Sequence, residues 1–369
     1  SIFQNRLLLN KITKKAHKKN QHTQQTIFSF PRNHIMKTRQ KIILFFVASL
    51  YSFAPVVEAK SAVEALQNDF VFPNEITGLP TKLSDFKDLE INYFTTNDDV
   101  KIAYWEAGEG EPIIFIPGWS ANGAKYINVM YLLSKKYHVY VLDPRNQGLS
   151  QRVKYGNRIS RYSMDLKQFV DHLNLSKVNF SGWSMGASVL WGYIDLFGTQ
   201  SIKTLSLIDE PISIYIHSNW SEEERLNAGG MTTSAEKMIA AYSGAPTSED
   251  IVDMSVMARY IANDSLYFQN SEAFASATIK NNFDSMSQVL FDHAMNDWRD
   301  VVSKKIDVPT AIFSGDYSHN VRSQQWANSV IPNSQLYIYT KIEEGDHFLA
   351  FKNPKKFTSD LDSFIERNK

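Results

Sequence analysis

The chain has 369 residues, 39 of them basic and 39 acidic, and it contains no cysteine. The missing thiols exclude disulfides, thiolate metal sites, a cysteine nucleophile and a lipid-bearing N-terminal cysteine. The charge balance hides an asymmetry: residues 1–59 hold ten Lys/Arg and one Asp/Glu, leaving 29 basic against 38 acidic residues and a formal net charge of −9 in the remainder. A remainder of that sign has no electrostatic reason to bind nucleic acid or anionic lipid.

Residues 1–35 begin with Ser1, lack methionine and are rich in Lys, Asn, Gln and His. They are expected to be an upstream extension outside the folded protein, with translation starting at Met36. A basic nucleic-acid-binding tail is the alternative reading, but it has no evident purpose ahead of an export signal. That signal is the basic start Met36-Lys37-Thr38-Arg39-Gln40-Lys41, an apolar run over 42–57 broken by Pro55, and the small-residue site Val57-Glu58-Ala59. The run is shorter than the roughly twenty residues a spanning helix needs. Cleavage near Ala59, no stable membrane anchor and a periplasmic or secreted location are therefore expected.

The 310 residues that follow leave room for one large α/β domain with an insertion. Residues 60–86 form a polar, partly helical leader segment. Residues 89–94 and 100–105 predict a hairpin around Asn97-Asp98-Asp99. Apolar, β-rich runs follow at 113–116, 138–142, 178–180, 204–208, 310–313 and 335–339, separated by helical patterns. That alternation predicts a mostly parallel sheet covered on both faces, with reactive residues at the carboxyl ends of its strands. Over 211–298 the strand signal stops and the chain becomes helical and rich in aromatics and methionine, a lid inserted after the sixth strand and framed by core segments 87–210 and 299–369. Most of those side chains should pack the lid itself, and the rest should line a cleft suited to an apolar acyl or alcohol group.

The chemistry centres on Gly182-Trp183-Ser184-Met185-Gly186, which follows the apolar run at 178–180 and opens a helical stretch at 187–196. A serine on a strand-to-helix turn between two glycines presents an exposed hydroxyl and reads as a nucleophile. Upstream, Pro117-Gly118-Trp119 ends a buried strand. Downstream, Gly345-Asp346-His347-Phe348 lies between the last strand and a helix near 354–367.

With Asp143-Pro144-Arg145-Asn146-Gln147-Gly148-Leu149-Ser150 as a fourth landmark in the right order, the chain resembles the α/β hydrolase family from about residue 90 to the C-terminus. The resemblance implies an eight-stranded sheet with a helical lid, Ser184 as nucleophile, His347 as general base and the backbone N–H groups of Trp119 and Met185 as oxyanion hole. No cofactor is required for that chemistry, and no metal site is expected. Arg145 and Gly148 are expected to shape the turn after the fourth strand. His293 and His319 lack partner histidines at metal-binding spacing.

The sequence departs from that family at two places. Pro117 stands where many relatives have histidine. The third residue after Gly315, where many relatives carry the triad acid, is Ser318. A histidine base needs a carboxylate on its other nitrogen, so the acid must come from elsewhere. Asp209, at the end of the sixth strand, is the preferred acid; Asp316, two residues early in the usual loop, is the alternative, and Glu210 is a third. The leading reading is an exported serine hydrolase acting on a small or medium carboxylic ester through an acyl-enzyme. Perhydrolases of the cofactor-free haloperoxidase kind and carbon-carbon bond hydrolases resemble the same motifs, and a non-catalytic ligand-binding relative is the rival from another class.

Overall fold

The computed structural model describes residues 60–72, 77–231, 233, 272–278 and 280–369. The expected extension and signal segment, and the part of the expected lid over 234–271, lie outside the described residues. No helix among the described residues is long and apolar enough to cross a membrane.

Eight strands make one sheet: β1 (Glu90–Thr95), β2 (Lys101–Ala107), β3 (Glu111–Ile116), β4 (Tyr137–Leu142), β5 (Val178–Trp183), β6 (Ile202–Ile208), β7 (Thr310–Gly315) and β8 (Ser334–Tyr339). Their order is β1-β2-β4-β3-β5-β6-β7-β8. β2 runs antiparallel to both neighbours and every later pairing is parallel. The predicted hairpin forms in register from Glu90 opposite Glu106 to Thr95 opposite Lys101, and Asp99 takes the left-handed turn position at φ 60°. β5 runs past the expected 178–180, because Gly182 and Trp183 keep pairing with Leu207 and Ile208 although glycine weakens the apolar pattern there.

Side chains alternate across the sheet and fill two separate cores. Ile113, Phe115, Val139 and Val141 pack with helices Ile127–Leu133 and Pro354–Arg367 on one face. Ile114, Ile116, Tyr140 and Leu142 pack with helices Ile159–His172 and Met185–Phe197 on the other. This doubly covered arrangement explains why the central strands read as continuous apolar runs. At the sheet's outer edge, Ser61 caps the short helix Ala62–Leu66, and Ala62 donates to Leu89 O at 2.8 Å, so the leader continues onto β1.

Arg145 is completely buried and donates to both oxygens of Asp165 at 2.7 Å, while its Nη1 reaches Asp98 at 3.0 Å. It ties the hairpin, the turn after β4 and helix Ile159–His172 together. Gly148 adopts a positive φ of 54° in the same turn, and an added Cβ would lie 2.3 Å from Asp143 Oδ2. Between β6 and β7 the described residues form helices Glu222–Ala228, Glu272–Thr278, Phe283–Met295 and Arg299–Lys304 and contribute no strand to the sheet.

Candidate active site

β5 ends at Trp183 and helix Met185–Phe197 begins two residues later, so Ser184 must turn the chain alone. It does so at φ 55° and ψ −135°, a conformation that costs a non-glycine residue about 1–3 kcal/mol and persists only when its surroundings impose it. Neighbouring glycines permit the closure: a Cβ on Gly186 would lie 2.0 Å from Ile116 O, and one on Gly182 would lie 2.7 Å from Ala187 N. The Ser184 N–H donates to Ile208 O at 3.0 Å, linking the turn to the end of β6.

Three of the sequence-derived residues meet in one hydrogen-bonded chain. Ser184 Oγ lies 3.1 Å from His347 Nε2, and His347 Nδ1 lies 2.8 Å from Asp209 Oδ2. Asp209 is fully buried and His347 nearly so, while Ser184 keeps part of its surface open. With Nδ1 facing a carboxylate, the neutral ring carries its proton there and leaves the Nε2 lone pair for the serine hydroxyl. Trp183 fixes the ring from behind: its Nε1 donates to His347 O at 2.7 Å, and the two ring centroids are 5.2 Å apart.

Asp209 stands just past the end of β6 with a left-handed φ of 50°, and its N–H donates to Phe313 O at 2.9 Å. Its carboxylate is heavily solvated by protein: Ser314 donates to Oδ1 at 2.7 Å, and Ser318 and Asn320 donate to Oδ2 at 2.6 and 3.1 Å. Burial pushes this carboxyl up, but the His347 interaction and the serine hydrogen bonds outweigh it and hold it below its ordinary value. The support from Ser314, Ser318 and Asn320 was not anticipated. One signal was present, a serine at position 314 in the otherwise apolar end of β7.

The other acid candidates go elsewhere. Asp316 is exposed, and its N–H donates to Tyr339 O at 2.8 Å. The β7 exit is tight, with Ser318 N–H donating back to Gly315 O at 3.0 Å, and leaves Asp316 on the solvent side. Glu210 directs its carboxylate to His293 Nε2 at 3.0 Å. His319 is exposed, and among the described residues no group of three or more His, Asp or Glu side chains could hold a metal ion.

For the oxyanion hole, Met185 is the first residue of its helix, so its N–H has no acceptor in a preceding turn. The Pro117-Gly118-Trp119 loop lies directly against the nucleophile: a Cβ on Gly118 would come within 2.8 Å of Ser184 Cβ. The Trp119 ring is anchored by its Nε1, which donates to Met286 O at 3.0 Å on helix Phe283–Met295.

Comparison with known proteins agrees with this fold. Residues 111–354 match the family described as alpha/beta hydrolase fold. Non-heme chloroperoxidase CPO-A1 of Kitasatospora aureofaciens is 23% identical over 286 residues, covering 74% of this chain and 98% of that protein. Among solved structures, a bromoperoxidase from Bacillus anthracis superposes with a TM-score of 0.59 at 23% identity, covering 74% of this chain and all of the other. The esterase EaEST from Exiguobacterium antarcticum superposes with a TM-score of 0.57 at 18% identity, covering 74% and 99%. With an eight-stranded, mostly parallel sheet between helical layers and a family match over residues 111–354, the chain belongs to the alpha/beta hydrolase fold family.

Proposed function

We propose that this alpha/beta hydrolase is an exported serine hydrolase that cleaves a small or medium carboxylic ester through an acyl-enzyme on Ser184. The observation that carries the reading is the continuous chain Ser184 Oγ, His347, Asp209, at 3.1 and 2.8 Å. His347 Nε2 takes the serine proton as Oγ attacks the ester carbonyl, and Asp209 holds the ring's tautomer and stabilises the imidazolium. The Met185 and Trp119 N–H groups receive the developing oxyanion, an interaction whose loss typically costs about a hundredfold or more in turnover. The protonated ring then returns its proton to the leaving alcohol. In the second half a water, deprotonated by the same nitrogen, releases the acid. Every proton is handled by the protein's own groups, so no cofactor enters. The aromatic and methionine-rich segment between β6 and β7 serves as the lid and gives the acyl group an apolar environment.

The rival reading of a non-catalytic binder rests on Pro117 in place of a histidine and on the serine at 318. That hydroxyl lies 2.6 Å from the Asp209 carboxylate, which supports a relocated acid rather than an absent one. A peroxide-dependent activity is the second enzymatic reading, favoured by the relatives named as chloroperoxidase and bromoperoxidase. A fluorophosphonate probe tests the hydrolase: it should label the purified chain and fail to label Ser184→Ala, and a folded wild type that resists labelling would refute it. Assays of p-nitrophenyl ester hydrolysis beside peroxide-dependent bromination rank the two activities. Export predicts a secreted form whose N-terminus follows Ala59, which N-terminal sequencing checks.

A further inference from the structure

A second carboxylate-imidazole pair lies beside the first. Glu210 directly follows Asp209, and its Oε1 is 3.0 Å from His293 Nε2, with side-chain exposures of only 2% and 5%. The same oxygen is 3.5 Å from the hydroxyl of Ser188, which sits one turn beyond Ser184 on the nucleophile's helix. The Glu210 carbonyl accepts from Gln324 Nε2 at 2.5 Å. One residue therefore joins the nucleophile's helix, helix Phe283–Met295 and helix Val321–Val330 to the turn that carries Asp209.

That turn needs holding, because Asp209 occupies a left-handed conformation without being glycine. The side-chain donors on its carboxylate other than His347 are Ser314, Ser318 and Asn320, all from β7 and its following loop. None of these comes from the nucleophile's side, where the Ser184 N–H bond to Ile208 O holds the residue before Asp209 and the contact of Glu210 with Ser188 holds the residue after it. The pair also comes at a cost that simple packing would avoid. His293 Nδ1 is buried without a hydrogen-bond partner, whereas an apolar residue would fill the space with no polar atom to desolvate. Its retained polar function is the donor it offers to Glu210.

We infer that Glu210 and His293 are positioning residues: the imidazole from helix Phe283–Met295 clamps Glu210 and thereby fixes the left-handed turn that aims Asp209 at His347. This rests on the hydrolase reading of Ser184, His347 and Asp209. Neither residue touches substrate; both act through the acid's backbone. Seating of helix Phe283–Met295 is in this way coupled to the order of the catalytic hydrogen bonds.

Three forms of the full chain test it: wild type, His293→Leu, which removes the donor, and His293→Gln, whose Nε2 places an N–H where the imidazole had one. The first readout is the low-field proton resonance of the hydrogen bond between His347 Nδ1 and Asp209. The second is kcat and KM for p-nitrophenyl acetate. His293→Leu is expected to shift or broaden the resonance and to lower kcat by about tenfold to a hundredfold with KM nearly unchanged, and His293→Gln to restore both. An unmoved resonance with unchanged kcat in folded His293→Leu overturns the inference, as does a Gln variant as impaired as the Leu one. If His293→Leu does not fold, His293→Asn, whose shorter amide stops short of Glu210, takes its place. A wild type that hydrolyses no ester refutes the hydrolase reading, while the resonance still decides the coupling. A wild type with no low-field proton lacks the held bond and overturns the inference directly.

Discussion

Ser318 donates its hydroxyl to Asp209 Oδ2 at 2.6 Å, so the residue at the position where the sequence leads one to expect the acid instead binds the acid, which is supplied by the neighbouring strand. β6 and β7 are adjacent and parallel, with Ile208 opposite Phe313. A carboxylate leaving either strand is therefore expected to reach the same side of His347.

Asp209→Asn should lower kcat for ester hydrolysis by about 10,000-fold while leaving the fold intact, because the amide favours the wrong imidazole tautomer. Asp316→Asn, at an exposed position, should stay within about twofold of wild type. Steady-state kinetics on the two variants separates the candidates, and full turnover in Asp209→Asn would remove that residue from the reaction.

The two acid positions should be partly interchangeable. Asp209→Ser alone is expected to be nearly inactive, and adding Ser318→Asp should return at least about tenfold in kcat by putting a carboxylate back beside the imidazole. Ser318→Ala in the wild-type background removes one charged-group hydrogen bond and should cost about 1.5–3 kcal/mol in chemical denaturation. No gain from the double exchange would show that the loop after Gly315 cannot deliver a carboxylate to His347.

Acid stability follows from the lowered Asp209 carboxyl. A group depressed in the folded state contributes stability that is fully present above its ordinary value of 3.8 and is lost as pH falls through its lower folded value. The stability difference between wild type and Asp209→Asn should therefore not decline on acidification until pH falls below about 4. Denaturant melts of both proteins across this range measure it; a difference that already declines near pH 6 would contradict the direction of the shift.

Gly186→Ala should be among the most damaging small substitutions. The new methyl would meet the Ile116 carbonyl oxygen at 2.0 Å, a backbone atom in the middle of the sheet that cannot rotate aside. A loss of at least about 2 kcal/mol is expected, visible as a lowered melting temperature. A variant as stable as wild type would mean that the strand and the helix can separate without penalty.

Much of this was legible in the chain. The eight strands follow from apolar runs and turn residues, and Ser184 and His347 follow from glycines placed around a strand exit and from position after the last strand. The acid was narrower in support: Asp209, Asp316 and Glu210 all end or follow strands near the site, and only the direction of each side chain distinguishes them. That direction depends on a single φ at Asp209 and on hydroxyls donated from residues more than a hundred positions away. Glu210 and His293 were unreadable as a pair for the same reason, since they lie 83 positions apart and no local pattern marks either as the other's partner.

The nucleophile and the acid leave adjacent strands near the middle of the sheet, and the Ser184 N–H bonds the residue just before Asp209. His347 instead follows β8, the last strand in the order, which is paired on one side only. Warming should therefore silence the protein from its border inward: the base departs with the fraying margin while the serine and the carboxylate remain in place, and catalysis fades before the central sheet melts.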